Sequence, residues 1–131
     1  ASYTDLIHKL GGKAMDGLYA MHTAAQPYTD TADDRVRFWA NKYKTKFSED
    51  PTVFSAYGYV IMDLFIRAAQ KAGPGLNTDS FVKSMDTMTV PPDIFGTPEQ
   101  KFTPTKHLGS DASRLSQLQD GKWKVVSDYF K

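Results

Sequence analysis

The sequence contains no cysteine, which excludes a disulfide framework, a thiolate zinc site and a cysteine nucleophile. Net charge is nearly absent as well. Sixteen basic against fifteen acidic side chains leave +1 at neutral pH, so nothing in the balance draws the chain to nucleic acid or anionic lipid over long range. Long apolar runs are missing: the richest stretch, Val53 to Ala69, meets Asp63 and Arg67 before the roughly 20 residues that a bilayer span needs. It reads as a core helix. The N-terminus "ASYTDLIHKLGG" has no basic head followed by an apolar run, so no export signal is expected within this chain. Internal repeats and low-complexity segments are absent too.

Histidine is scarce, with His8, His22 and His107 falling in a helix, at a strand end and in a loop. No two of them have the spacing of a metal site, and no metal or cofactor is expected. No serine occupies a strand-turn-helix elbow of the G-x-S-x-G kind, so no catalytic residue is assigned and the chain is not read as an enzyme. The "GPG" at Gly73 to Gly75 follows a helix instead of opening one, which removes a phosphate loop. The basic and aromatic mixture "RVRFWANKYKTKF" is no nucleic-acid track, because Lys42 and Lys46 share a face that Lys44 leaves.

What remains is a chain of 131 residues, 40% hydrophobic and 13% aromatic, enough for one domain or part of one. Leu6, Ile7 and Leu10 form a short helical stripe stopped by Gly11-Gly12. Asp16 to Thr23 has little polar alternation and reads as a strand covered on both faces. Val36, Trp39 or Ala40, Tyr43 and Phe47 recur at helical spacing, with Thr31 and Asp34 as cap and box-like partner. A second helix fills Val53 to Ala72 with Gly73-Pro74-Gly75 as its stop, and Asp63 and Arg67 are spaced for an i,i+4 pair. Its narrow polar stripe of Asp63, Arg67, Gln70 and Lys71 requires everything else on it to be covered by protein. A third helix is capped by Asn77 or Thr78 and turns Phe81, Val82, Met85 and Met88 inward. From Thr89 four prolines and two glycines make an extended connection, and Asp120-Gly121 marks a two-residue hairpin that sets Leu118 against Trp123 and Leu115 against Val126.

These elements do not add up to a closed sheet. A strand covered on both faces needs neighbours that one late hairpin does not supply, so the fold class is α/β but incomplete within this chain.

The segments "GLYAMHT", "QPYTD", "FWANKYKTKF", "SAYGYVIMDLFIRAAQKAG", "FVKSM", "IFGTPEQKFTPTKHLG" and "LSQLQDGKWKVV" occur in an order and spacing that resembles one family. This is the solute-binding proteins of branched-chain amino-acid-type ABC importers, with the two-lobed type I periplasmic binding fold. The resemblance covers essentially the whole chain and implies the C-terminal portion of such a protein. It implies residues 1–15 at the end of one lobe, residues 16–95 as a hinge strand and the helices of the other lobe, and residues 96–131 as a returning segment with the hairpin. It further implies a receptor, periplasmic or extracellular and lipid-anchored, that closes by a hinge on an amino acid or related carboxylate, aromatic acids included. Its implied partners are the small-molecule solute, the membrane permease subunits, and the preceding part of the same protein or another copy, and nucleic acid is not among them.

In that family an aromatic residue at the position of Phe54 packs against the ligand's side chain, five residues before the tyrosine matched by Tyr59. Tyr57, one turn along the same face, adds a ring and a hydroxyl, and Gly58 permits close approach of a neighbour. His22, at the implied hinge, borders the cleft or orients the crossing. Phe54, Tyr57 and His22 are therefore the candidate ligand-binding residues. The alternative from another class is a freestanding α/β interaction module that covers its open sheet by forming oligomers and needs no small ligand.

Overall fold

Asp120 and Gly121 adopt φ of 51° and 72°, the left-handed pair that lets a two-residue turn follow the twist of its strands. The computed structural model, which describes residues 2–131, builds around this turn the hairpin β4 (Arg114–Gln119) and β5 (Lys122–Val125). Leu118 pairs with Trp123 as the turn length dictates, and the Val126 amide donates to the Leu115 carbonyl at 2.9 Å. β1 (Tyr19–His22) joins β4 antiparallel, giving the sheet order β1-β4-β5.

The strand expected over Asp16 to Thr23 is thus shorter, and the expectation that both its faces are covered is not met. Ala20 and His22 are buried, whereas Tyr19 and Met21 are more than half exposed. The apolar run concealed a real alternation, because Tyr19 and Met21 are apolar on the open side. Among the described residues the outer edge of β1 has no strand partner.

The helices are α1 (Leu6–Gly11), followed by a 3₁₀ turn over Gly12–Met15, then α2 (Asp34–Phe47), α3 (Val53–Ala72) and α4 (Thr78–Met85). The extended connection contains a two-stranded ladder of β2 (Thr89–Val90) and β3 (Gln100–Lys101). The α2 cap is Asp33, not Thr31, since its carboxylate accepts from the amides of Arg35 and Val36 at 2.9 and 3.2 Å. Asn77 caps α4 by accepting from the Ser80 amide at 3.0 Å.

One face of α3 organises the interior. Val53 packs with Tyr3, Ala20, Leu118 and Trp123, Ala56 packs with Ala24 and Phe95, and Ala68 packs with Met88 and Val90. Tyr57 bridges the first two clusters, and Leu64 joins the third. The opposite face carries Phe54, Ile61, Met62, Phe65 and Ile66, all 48% or more exposed. The expectation of a helix covered everywhere but its polar stripe therefore fails within these residues, while the Asp63–Arg67 pair is present at 2.6 Å. Phe47 on α2 and Val82 on α4, both assigned inward, are also exposed. Each lies at the margin of its stripe, where helical spacing alone does not decide the side. No helix among the described residues is long and apolar enough to cross a membrane.

Candidate functional site

The first turn of α3 is held by a side chain from far upstream. Gln26, almost fully buried, accepts from the Val53 amide through Oε1 at 2.9 Å and donates to the Pro51 carbonyl at 3.3 Å. Its own amide donates to the Tyr3 hydroxyl at 2.9 Å. One buried amide thus satisfies an orphan N–H of the helix end and joins that end to the segment following β1. The Thr52 amide donates to Ser55 Oγ at 3.2 Å and completes the turn.

Phe54 and Tyr57 stand on this fixed turn with their rings edge to face, centroids 6.3 Å apart. Phe54 is 59% exposed, while Tyr57 is half-buried against the two core clusters. The pair presents an apolar ring to open space from a rigid base.

His22 lies inward of that pair. Its ring stacks on Tyr3 with centroids 4.3 Å apart and planes 9° from parallel. Nδ1 is 3.1 Å from the Ala24 carbonyl, which has only lone pairs to offer, so Nδ1 carries the proton and donates. Nε2 is then the acceptor for the Ser116 hydroxyl at 2.8 Å. Burial, reinforced by the positive charge of Arg114, lowers the protonation midpoint of His22 to about 4 despite the opposing Ala24 bond. At neutral pH the imidazole is uncharged and both nitrogens are engaged within the protein. Burial likewise raises the Tyr3 hydroxyl above its ordinary range, so it stays a neutral acceptor.

The structure therefore brings Phe54 and Tyr57 together at the surface and connects His22 to them through Tyr3, which shares a cluster with Tyr57. Gly58 has nothing within 4 Å of a Cβ built on it, so the close neighbour expected there is not among the described residues. His107 sits in its loop 3.3 Å from Asp86 Oδ1, and His8 lies on α1. Sequence reasoning missed Tyr3, Gln26, Ser116 and Arg114. Two of these had a signal: once the hairpin fixes Leu118 inward, the period of two puts Ser116 and Arg114 on the same face.

A groove of about 780 Å³ between α2 and α3 contains none of the three candidate residues. It is bounded by Phe38, Trp39, Tyr43, Phe47, Tyr59 and Ile94. Of the polar side chains that also line it, Asp34, Arg35 and Ser55 are bonded to Arg37, Asp33 and the Thr52 amide, which leaves Lys42 and Lys46 of α2 to orient a small molecule, so it is the weaker candidate.

A family model described as "Periplasmic binding protein" matches residues 1–122. No curated protein gives a significant match. Among solved structures, a fatty acid ABC transporter substrate-binding protein from Thermomonospora curvata superposes with TM-score 0.76 at 15% identity, over 99% of this chain and 35% of that one. A branched chain amino acid ABC transporter from Thermus thermophilus with bound valine gives 0.74 at 15% identity, over 96% and 36%. A solute binding protein from R. palustris in complex with benzoate gives 0.65 at 15% identity, over 92% and 32%. At these identities the likeness is one of fold. The chain spans about a third of the length of the structures it matches, so its fold is a partial α/β portion of a two-lobed type I periplasmic binding architecture.

Proposed function

Because the chain belongs to the periplasmic binding protein family, whose model it matches over residues 1–122, we propose that it forms one wall of a solute-binding cleft in a receptor serving an ABC importer. The solute is a small amino acid or related carboxylate, aromatic acids included. The observation that carries this reading is the exposed Phe54 ring on the rigid first turn of α3, backed by Tyr57. An apolar ring held still loses little freedom when it covers a ligand, so its buried area goes into affinity. His22 acts here by fixing Tyr3 and Ser116 behind the wall, because both of its nitrogens are already engaged.

In this reading residues 1–15 end one lobe, residues 16–95 cross to and build the other, and residues 96–131 return. β1 and β4 lie at the crossing and bend when the lobes close. The other half of the cleft comes from chain outside these residues. The receptor works in the periplasm or outside the cell on a lipid anchor, and its closed form docks on the permease subunits.

The test is titration calorimetry with valine, leucine and benzoate on a two-lobed receptor that carries this chain as its C-terminal third. Phe54→Ala is expected to weaken the bound solute about 30-fold, from roughly 2 kcal/mol of lost apolar burial. Equal affinity for parent and variant removes Phe54 from the site. A protein that ignores all three solutes but forms a stable oligomer through the open β1 edge would favour the interaction-module reading instead.

A further inference from the structure

Arg114 opens β4 directly opposite His22 in the antiparallel register, on the same inward face as Ser116 and Leu118. Its side chain is half-buried and its Nε is shielded from solvent with no hydrogen-bond partner. Among the described residues it joins no ion pair, although every other arginine does. Asp93, which shares the Tyr129 neighbourhood, turns Oδ1 to the amides of Phe95 and Thr97 at 2.8 and 3.3 Å and stays beyond ion-pair distance of the guanidinium.

The surroundings are shaped for this guanidinium. Tyr129 lies under it, with Cζ 4.9 Å from the ring centroid, and the Tyr129 hydroxyl is itself held by the carbonyls of Thr23, at 2.7 Å, and Gly96. Gly96 sits at φ 65°, and a Cβ built there would stand 2.7 Å from Nη2. The loop thus comes as close to the guanidinium as a residue without a side chain permits. A cation positioned this carefully, partly desolvated and without an acid, is costly until an anion reaches it.

We infer that Arg114, framed by Gly96 and Tyr129, is the fixed cation of a carboxylate subsite at the inner end of the wall formed by Phe54 and Tyr57. Arg114 acts electrostatically on His22, Tyr3 and Tyr129, and Tyr57 acts on the same two tyrosines, so these groups share one neighbourhood. A planar guanidinium matches two carboxylate oxygens, and the aromatic pair takes the apolar body of the solute. The inference rests on the receptor reading above and adds to it the group that selects an acid over its neutral analogue.

The test uses a two-lobed receptor carrying this chain, with valine against valinamide and benzoate against benzamide as paired probes. Calorimetry on the parent and on Arg114→Gln is expected to show acid affinity falling about 10- to 100-fold while amide affinity holds, and Arg114→Lys is expected to keep part of the preference. Without solute, Arg114→Gln is expected to melt at or above the parent, since an unpaired cation has been removed. Unchanged discrimination between acid and amide overturns the inference. So does a solute-free variant that melts several degrees lower, because a carboxylate of the receptor itself is then the partner. A parent that binds none of the four probes sinks the receptor reading, and the melting comparison alone then decides whether Arg114 is an unpaired cation.

Discussion

Acidification from pH 7 to pH 4.5 should weaken the β1–β4 seam through His22, by an amount that follows from its position. In the folded chain the imidazole is buried, donates to Ala24, accepts from Ser116 and lies opposite Arg114 in the strand register, with Tyr3 stacked on it. In the unfolded chain it protonates near 6.5, and in the folded chain only at about 4. Between those values the unfolded form holds the extra proton, so acid favours unfolding. The stabilisation is complete above pH 6.5, shrinks as the pH falls, and is gone below about 4. At about 1.36 kcal/mol per pH unit the full span amounts to roughly 3 kcal/mol. Carboxylates Asp5, Asp30, Asp33 and Asp111 are held below their ordinary value of 3.8, and their contribution is lost only at lower pH. The window from 6.5 to 4.5 therefore belongs to His22. Proton NMR of the ring should give a midpoint near 4, and urea unfolding at pH 7, 6, 5 and 4.5 should show parent stability falling while His22→Gln stays nearly flat. Parallel curves for parent and variant, or a midpoint of 6 or above, would refute the burial argument.

Leu118→Ala should cost about 2 to 5 kcal/mol in chemical denaturation, because Leu118 is fully buried between Trp123, Ala20, Val53 and Tyr3; a loss under about 1 kcal/mol would mean that this cluster is not the core of the sheet. Gly58→Ala should leave this chain unchanged or up to about 1 kcal/mol more stable by helix propensity, since its Cβ meets nothing, and a thermal melt that falls would show a neighbour already packed there.

The parts of the fold that were legible in the sequence are those fixed by local chemistry. Asp120-Gly121 set the turn, and the turn set the register of Leu118 with Trp123. Gly73 ended α3 with a positive φ, and Asn77 capped α4. Misreadings arose where several local choices were nearly equal, as between Thr31 and Asp33, two residues apart and both able to cap. Asp33 won because its carboxylate reaches two amides at once. The network of Tyr3, Gln26 and Val53 was illegible for a different reason: it joins residues 23 and 27 positions apart through side-chain amide and hydroxyl bonds that leave no periodic trace.

Exposure alone does not single out Phe54, because it heads a continuous apolar stripe with Ile61, Met62 and Phe65, and Gly58 lies between. A layer laid on that stripe would explain every exposed ring on it equally well. What distinguishes the first turn is its anchoring. Ring-to-ring bracing is shared, since Phe81 of α4 lies 5.1 Å from Phe65 as Tyr57 lies 6.3 Å from Phe54, but at the first turn the braced ring also stands on a helix end gripped by the buried Gln26. A surface that merely packs against another layer gains nothing from such fixation, since the layer itself would hold it in place. A surface that must meet a small, mobile solute gains affinity from every freedom removed beforehand. The cross-strand neighbours of His22 extend the same logic inward: Ser116 locks the imidazole, and Gly96 and Tyr129 locate the Arg114 guanidinium. Buried hydrogen bonds from distant segments converge on the α3 end of the sheet, whereas the 780 Å³ groove offers aromatic rings packed on one another and two lysines of α2.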